Sequence, residues 1–257
     1  MNKEILKSFI EKYTVSKEEE GVVWKFSKDK MSARFSSKDE AILGLVEILD
    51  TKFLGNFETT VKIPVYQTSE FLKFLNVLDL EVSVSTVADP NKEDTAIFLK
   101  LSDESVKINY ALADTNVFKK EWSMKRELTD DDFSMIFNLT PEFRRKFLNS
   151  ISAVQVDESS KFKVSADDLT GTNKVMFLSD NNKLELTIPT NDVKKSEDTE
   201  VEFFSEHFRR ILTANKSADK ITVYFKNGGI PARLVCENSI EGFVNVNTYF
   251  IFPAVTV

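Results

Sequence analysis

The stretch "LTPEFRRKFLNSIS", Leu139–Ser152, marks a change from strand to helix. Its apolar residues recur every three to four positions after a strand-like run, and this spacing is typical of an amphipathic helix. Thr140 can cap the first free N–H groups, and Pro141 suits the first helical position because its missing N–H needs no partner. The stretch therefore predicts a helix over about 141–152.

Three other segments share this helical spacing. They predict helices over about 3–13, 69–79 and 206–216. A hydroxyl side chain near a helix start can accept a hydrogen bond from a free backbone N–H. We therefore expect Thr68 or Ser69 to cap the second helix and Ser205 to cap the fourth.

Strand signals dominate the rest of the chain. Nine runs alternate apolar and polar residues or are rich in β-branched and aromatic side chains. They are "TTVKIPVY", "LEVSVSTV", "TAIFLKL", "SVKINYAL", "KFKVSA", "KVMFLS", "KLELTIP", "KITVYF" and "FVNVNTYFIF". The sequence therefore predicts a largely antiparallel β protein with a few helices.

The helices recur at a regular distance along the chain. Measured between the glutamates near their starts, the first two helices lie 66 residues apart and the last two 64. A strand-rich segment follows each pair, and the segment between the two copies has weak periodicity and mixed charge. We predict two similar domains, 1–114 and 132–257, joined by a connector, 115–131.

The composition limits the classes of protein that fit. The 257 residues carry a net charge of −7, so any DNA contact must be local. Cys236 is the only cysteine, which excludes an intramolecular disulfide and is typical of a reducing setting. The N-terminus lacks the apolar core of a signal peptide, and no apolar run is long enough to span a bilayer. We expect a soluble, cytoplasmic protein without a membrane partner.

The helices concentrate positive charge. At 100° per residue, basic and polar residues fall opposite the apolar side of each helix. They are Lys3, Lys7, Lys73, Arg145, Lys146, Asn149, Arg209, Arg210 and Lys216. The four segments carry about +4, and the rest of the chain −11. A charged face is ordinarily just solvated, but basic helices at matching repeat positions of an acidic protein favour a layer that faces phosphate.

The sequence does not predict an enzyme. His207 is the only histidine, so no Ser/His/Asp or Cys/His arrangement forms without it, and a surface or half-buried structural role is expected. "KNGGIP" predicts a hairpin turn and not a phosphate loop. The run 130–132, three aspartates, could bind a divalent ion, but a charged connector explains it as well. We expect no cofactor and no metal site.

The order of predicted helices and strands along the chain resembles that of DNA sliding clamps. The resemblance is to both the phage T4-type clamp and the proliferating cell nuclear antigen (PCNA) of eukaryotes. The resemblance is carried by "GGIPARLVCENSIEGFVNVNTYFIFP", "FSMIFNLTPEFRRKFLNSISAVQVDESSKFKVSADD" and "IPVYQTSEFLKFLNVLDLEVSVSTV". It implies an α+β fold of two similar clamp domains, with antiparallel sheets outside and four helices on the inner face, assembling as a homotrimeric ring. "SVKINYALAD" and "KVMFLSD" are similar to the strands that join subunits in that family.

The resemblance also implies a function. Sliding clamps are noncatalytic processivity factors that a clamp-loader ATPase places around double-stranded DNA and that tether a DNA polymerase. The outward helix residues would then face DNA regardless of its sequence. A partner-peptide pocket is implied at the matching positions Val117, Phe118, Trp122, Pro231, Phe250, Phe252 and Pro253. Divergence from cellular clamps favours a viral or phage origin, and thus the host cytoplasm.

Two other interpretations stay open at this point. One is a β-rich structural or assembly protein of a virus that forms a ring without DNA inside it. The other is a monomeric module for single-stranded nucleic acid. That module would favour aromatic residues interleaved with basic ones on a strand surface, whereas the basic cluster here is helical.

Overall fold

A computed structural model describes most of the chain. The described residues are 2–15, 21–49, 57, 59–118, 121–124, 126–154, 157, 159–167, 172–178, 183–188, 193–195, 198–240 and 243–254. Within them the four predicted helices are confirmed, as α1 (Lys3–Tyr13), α2 (Thr68–Val77), α3 (Pro141–Val154) and α4 (Ser205–Ala214). Over the same residues, we find no helix with both the length and the apolar character that a membrane crossing requires.

The strands make up most of the remaining regular structure. They are β1 (Gly21–Phe26), β2 (Lys30–Ser36), β3 (Ile42–Leu49), β4 (Val61–Tyr66), β5 (Ser83–Asp89), β6 (Lys92–Ser102), β7 (Lys107–Ala111), β8 (Met135–Asn138), β9 (Lys161–Asp167), β10 (Thr172–Leu178), β11 (Lys183–Thr187), β12 (Val193–Lys195), β13 (Thr199–Phe204), β14 (Lys220–Phe225), β15 (Ala232–Ile240) and β16 (Phe243–Ile251). All nine predicted strand runs are confirmed. Seven of the described strands lie outside those nine runs: β1–β3, β8, β12, β13 and β15.

The chain forms two compact units. Unit 1 comprises Met1–Lys38, Gly44–Trp122 and Ser239–Asn247, and unit 2 comprises Asp39–Leu43, Ser123–Asn238 and Thr248–Val257. Each unit contains two helices separated by strands and followed by three more strands, so the predicted duplication of elements is confirmed. The predicted domain boundaries, before and after the connector 115–131, stay predictions.

Unit 1 is built around one central tryptophan. Its strands run in the order β3-β2-β1-β4-β6-β5, with β7 also paired to β6. Trp24 of β1 is fully buried, and its ring centroid lies 5.7 Å from that of Phe9 on α1 and 5.3 Å from that of Phe71 on α2. Its indole N–H donates to the hydroxyl of Tyr13 over 3.2 Å. Both helices of this unit are therefore held on the sheet by the same side chain.

Unit 2 has a core rich in phenylalanine. One of its sheets has the order β12-β8-β14-β15-β16, and the other is four-stranded with the order β11-β10-β9-β13. Phe208 of α4 has its ring centroid 4.8 Å from that of Phe162 on β9 and 5.3 Å from that of Phe203 on β13. The same ring lies 6.2 Å from Phe147 of α3 and from Phe225 of β14. Both helices and both sheets thus share one core.

The helix starts confirm one predicted cap and correct two. The Thr140 hydroxyl accepts a hydrogen bond from the Phe143 N–H over 3.2 Å, and Pro141 is the first residue of α3, as predicted. The predictions for α2 and α4 are wrong. Their N-cap positions are Gln67, with a left-handed φ of 54°, and Phe204, and neither makes a side-chain cap bond. Thr68 and Ser205 already lie within the first turn, where their side chains are buried.

Candidate nucleic-acid interface

In unit 1, α1 packs against α2, and their basic side chains have different surroundings. The Lys3 ammonium donates to the carbonyl oxygen of Leu78, the C-cap of α2, so it stabilises that helix end. Lys7 Nζ lies 2.9 Å from Glu4 Oε1 in an i,i+3 ion pair. Lys73 is exposed and has no ion-pair partner among the described residues. Of the three, Lys73 therefore offers its charge most directly to an external anion.

In unit 2, α3 presents the residues that the helical period places outward. Arg145, Lys146 and Asn149 are all exposed. Lys146 Nζ pairs with Glu142 Oε1 over 2.8 Å. Arg144 is half-buried at the edge of this surface, and its guanidinium donates to the Asn215 carbonyl oxygen over 3.2 Å, which ties α3 to the end of α4. The helix thus keeps Arg145 directed to solvent while Arg144 supports the packing.

The basic residues of α4 converge on one carboxylate. Glu206 exposes 3% of its surface. Its two oxygens accept from Nε of Arg209 over 2.6 Å, from a terminal nitrogen of Arg209 over 2.5 Å, and from Nε of Arg210 over 2.7 Å. Lys216, just after the helix, is exposed. The prediction that Arg209 and Arg210 point outward holds only in part, because both guanidinium groups are held by Glu206.

This arrangement suits contact with phosphate and not the recognition of bases. Long, flexible or half-buried cations on a helical surface contribute charge and orientation, which carry no sequence information. Sequence reasoning identified the cations but missed their carboxylate partners, Glu4, Glu142 and Glu206. The signal was present in the sequence, because residues three or four positions apart are neighbours on a helix.

The three pocket residues predicted in the connector all lie in unit 1. Val117 belongs to a short 3-10 helix, Thr115–Val117, and 60% of its surface is exposed. Phe118 is half-buried, with its ring 6.1 Å from that of Tyr66. The Trp122 indole N–H donates to the Gly44 carbonyl oxygen over 3.2 Å, and this ring is also half-buried. Part of each side chain therefore remains accessible.

The four pocket residues predicted near the C-terminus lie in unit 2 and differ in exposure. Phe252 exposes 39% of its surface, and its N–H donates to the Ala41 carbonyl oxygen over 3.0 Å. Pro231 and Pro253 are half-buried. Phe250 exposes only 7%, so in this conformation it belongs to the core and offers a peptide little surface. The role of all seven residues in peptide binding stays a prediction.

The aspartates at 130–132 take part in protein contacts. They form a second 3-10 helix, Asp130–Asp132, in which Arg126 binds Asp132 through both terminal nitrogens at 2.9 and 2.5 Å. These hydrogen bonds, with one from the Thr129 N–H, hold the pKa of Asp132 below its ordinary value. Arg233 pairs with Asp130 and stacks on the ring of Tyr224, 3.8 Å from its centroid. Over the described residues no cluster of three or more His, Cys, Asp or Glu side chains suits a metal ion.

His207 is mostly buried on α4, in unit 2. Its Nε2 lies 3.5 Å from Asp39 Oδ2, and its ring lies 5.6 Å from that of Phe204. Burial lowers the pKa of His207, and the Arg210 charge adds to this effect, while Asp39 and Glu206 oppose it. Because the folded state then favours the neutral ring, the unfolded state binds the proton first as pH falls.

We therefore expect His207 to make folding less favourable in mild acid. The stability that depends on this ring is present above the unfolded pKa of about 6.5 and is lost as pH falls below it. Urea unfolding of the wild type and of His207→Gln at about pH 7.5, 6.5 and 5.5 measures this, because only the wild type carries the imidazole. The wild type should lose more stability than the variant. A wild type that gains stability relative to the variant on acidification would show that Asp39 outweighs burial.

One prediction about the strands that join subunits is wrong. β10, which contains most of "KVMFLSD", pairs with β9 on one side and with β11 on the other, so its backbone groups are already used. Ser179 and Asp180 of that stretch lie outside the described residues. Among the described strands, β11 pairs only with β10, and β7 pairs only with β6. Strands β5, β12 and β13 also pair on one side only, so β7 and β11 are two of five described strands with a free edge, and the joining role predicted for β7 stays a prediction.

Comparison with solved structures shows the fold. A structure of the C-terminal region of FEN-1 bound to A. fulgidus PCNA has a TM-score of 0.77 at 15% identity, covering 100% of this chain and 98% of that one. PCNA from Entamoeba histolytica gives 0.71 at 15% identity, covering 99% and 96%. A PCNA2–PCNA3 complex from Sulfolobus tokodaii gives 0.66 at 14%, covering 96% and 95%.

The chain therefore has the α+β fold of PCNA-type sliding clamps over its whole length, with four helices and large antiparallel sheets among the described residues. No protein-family model matches the sequence, and no curated protein matches it significantly. The likeness to the phage T4-type clamp stays a prediction.

Proposed function

We propose that this protein is a DNA sliding clamp, a noncatalytic processivity factor that encircles duplex DNA. The observation that carries the proposal is the pair of helices in each unit, with cations directed to solvent, in a chain that has the PCNA fold from end to end. In such a protein the helices line a central channel and the sheets form the outer wall. Encirclement provides retention, so each phosphate contact can be weak and independent of sequence.

We propose a homotrimer of six such units. An unpaired strand edge has free N–H and C=O groups that can pair with a strand of another chain. β7 of unit 1 and β11 of unit 2 are each five residues long and each has one free side among the described residues. Because the two edges differ, pairing β7 of one copy with β11 of the next joins copies head to tail. A ring forms when the rotation from one copy to the next returns to the first copy.

The partner surface is proposed to bind a short apolar peptide of a DNA polymerase or of a clamp-loader ATPase. The PCNA of A. fulgidus is bound to the C-terminal region of FEN-1. In unit 1 the candidates are the exposed Val117 and the half-buried Phe118 and Trp122. In unit 2 the candidate is the exposed Phe252. The protein would act inside the cell, where DNA is replicated, with no cofactor of its own.

The mass in solution tests the assembly on which this function depends. Light scattering after gel filtration, over a concentration series, should give a species of about three times 29.3 kDa that dissociates on dilution. A monomer that persists at high concentration would leave the helices without a channel to line and would contradict the proposal. The alternative of a viral ring protein without DNA predicts the same mass, but no binding to duplex.

A further inference from the structure

Each of the four helices repeats one charge pattern. A glutamate in the first turn is followed three residues later by a lysine or arginine, as in Glu4–Lys7, Glu70–Lys73, Glu142–Arg145 and Glu206–Arg209. A first-turn glutamate by itself stabilises a helix through the macrodipole. That explanation accounts for the acid but not for the cation at the spacing that brings the two side chains together.

The contacts show that three of these glutamates hold cations of the proposed DNA-facing surface. Glu4 pairs with Lys7 at 2.9 Å, and Glu142 pairs with Lys146 at 2.8 Å. A hydrogen bond from Lys146 lowers the pKa of Glu142, and the charge of Arg145 acts in the same direction. Both carboxylates are exposed, so a phosphate group can compete with them for the cation.

Glu206 differs because it is buried beneath the two arginines that it binds. A buried carboxylate without a cation is costly, so at least one guanidinium must stay on it. Arg209 uses Nε and a terminal nitrogen for Glu206, and Arg210 uses Nε. A phosphate therefore cannot draw both arginines away from the helix.

We propose that the first-turn glutamates, and Glu206 above all, are positioning residues that limit the affinity of the helical surface for DNA phosphates. They hold the cations in place and neutralise part of their charge, so contacts with DNA stay weak enough for the protein to move along the duplex. This inference rests on the proposed function, because it assumes that these helices face DNA. In this proposal the cations strengthen binding to DNA, and the carboxylates of the repeated pattern weaken it.

Single substitutions test the inference against a matched control. Glu206→Gln and Glu142→Gln each remove one negative charge from an ion pair on a helix. Glu200→Gln removes the same charge from strand β13, where Glu200 pairs with Lys163 at 2.5 Å. Binding is measured by fluorescence anisotropy on a labelled linear duplex of about 40 base pairs with free ends, over a salt series. Thermal unfolding by circular dichroism verifies that each variant is folded. If Glu206→Gln does not fold, Glu142→Gln still provides the test, because Glu142 is exposed.

The expected result is a steeper salt dependence for the helix variants only. Each additional phosphate contact adds about 0.9 to the slope of log K against log salt, which is about eightfold in affinity at about 0.1 M salt. Glu200→Gln should match the wild type, because its charge lies on a strand. A purely structural role for Glu206 would change the melting temperature but not the slope.

The failures of the two proposals are distinguishable. If the wild type does not bind the duplex, or if Arg145→Glu binds as tightly as the wild type, the proposed function is wrong. If the wild type binds and Arg145→Glu binds more weakly, but both glutamine variants behave like Glu200→Gln, only the role of the glutamates is overturned.

Discussion

Reversing the charges of Arg145 and Lys216 together is expected to weaken binding to linear duplex DNA by about 60-fold at about 0.1 M salt, since each lost phosphate contact costs about eightfold there. These two side chains are exposed at α3 and just after α4, and neither has an ion-pair partner among the described residues. Arg145→Glu with Lys216→Glu therefore removes cations that are available to phosphate without breaking an internal contact.

The control for this double variant changes the net charge by the same amount elsewhere. Lys100 on β6 and Lys194 on β12 are both exposed on strands, so Lys100→Glu with Lys194→Glu should bind the duplex almost as the wild type does. Anisotropy titrations over a salt series measure both proteins, and light scattering verifies that their mass is unchanged. Equal losses in the two variants would mean that net charge, and not the helical surface, governs binding.

Truncation of Phe208 is expected to cause the largest loss of stability in unit 2. The side chain is 3% exposed and is surrounded by Phe147, Phe162, Phe203 and Phe225. Phe208→Ala removes a whole ring from this cluster and leaves a cavity, which costs about 3–5 kcal/mol in the free energy of unfolding. Urea unfolding followed by far-ultraviolet circular dichroism measures the loss.

A second variant separates packing from the mere loss of apolar surface. Leu178 on β10 belongs to the same unit but is 48% exposed, so Leu178→Ala should cost less than about 1 kcal/mol. If Phe208→Ala proved as mild as Leu178→Ala, the phenylalanine cluster would not be the structural centre of the unit.

The helices could be predicted from sequence because their signal is local. Apolar residues at intervals of three and four occur on all four helices, and the predicted ranges agree with the observed ones within two residues at each end. The predicted caps of α2 and α4 were wrong because these helices begin one residue after Gln67 and Phe204, whose side chains make no cap bond. Gln67 adopts a left-handed backbone conformation that its sequence does not announce.

Strand β3 shows why part of the sheet was missed. Its sequence, "ILGLVEIL", is apolar at almost every position, so the run has no alternation to separate a strand from a buried helix. In the structure its residues alternate between buried and half-buried positions. That pattern depends on which elements pack on each face of the strand, and the sequence of β3 alone does not show this.

The candidate site was predicted in outline but not in its electrostatics. Helical periodicity places Arg145, Lys146 and Lys216 on the surface, and the structure agrees. The same periodicity makes Glu206 a neighbour of two arginines, but it does not show that the carboxylate is buried. For the same reason alternation along β16 could not show that Phe250 lies in the core.

The most direct test of the central claim is whether binding to DNA needs a free end. Without a loader, a closed ring can thread onto a linear duplex only through its ends. Anisotropy on a labelled duplex with open ends is compared with the same duplex after both ends are blocked by a bulky bound protein. Encirclement requires binding to the open duplex and little or none to the blocked one. Equal binding to both would show that the protein contacts DNA from the side, and the sliding-clamp account would be wrong.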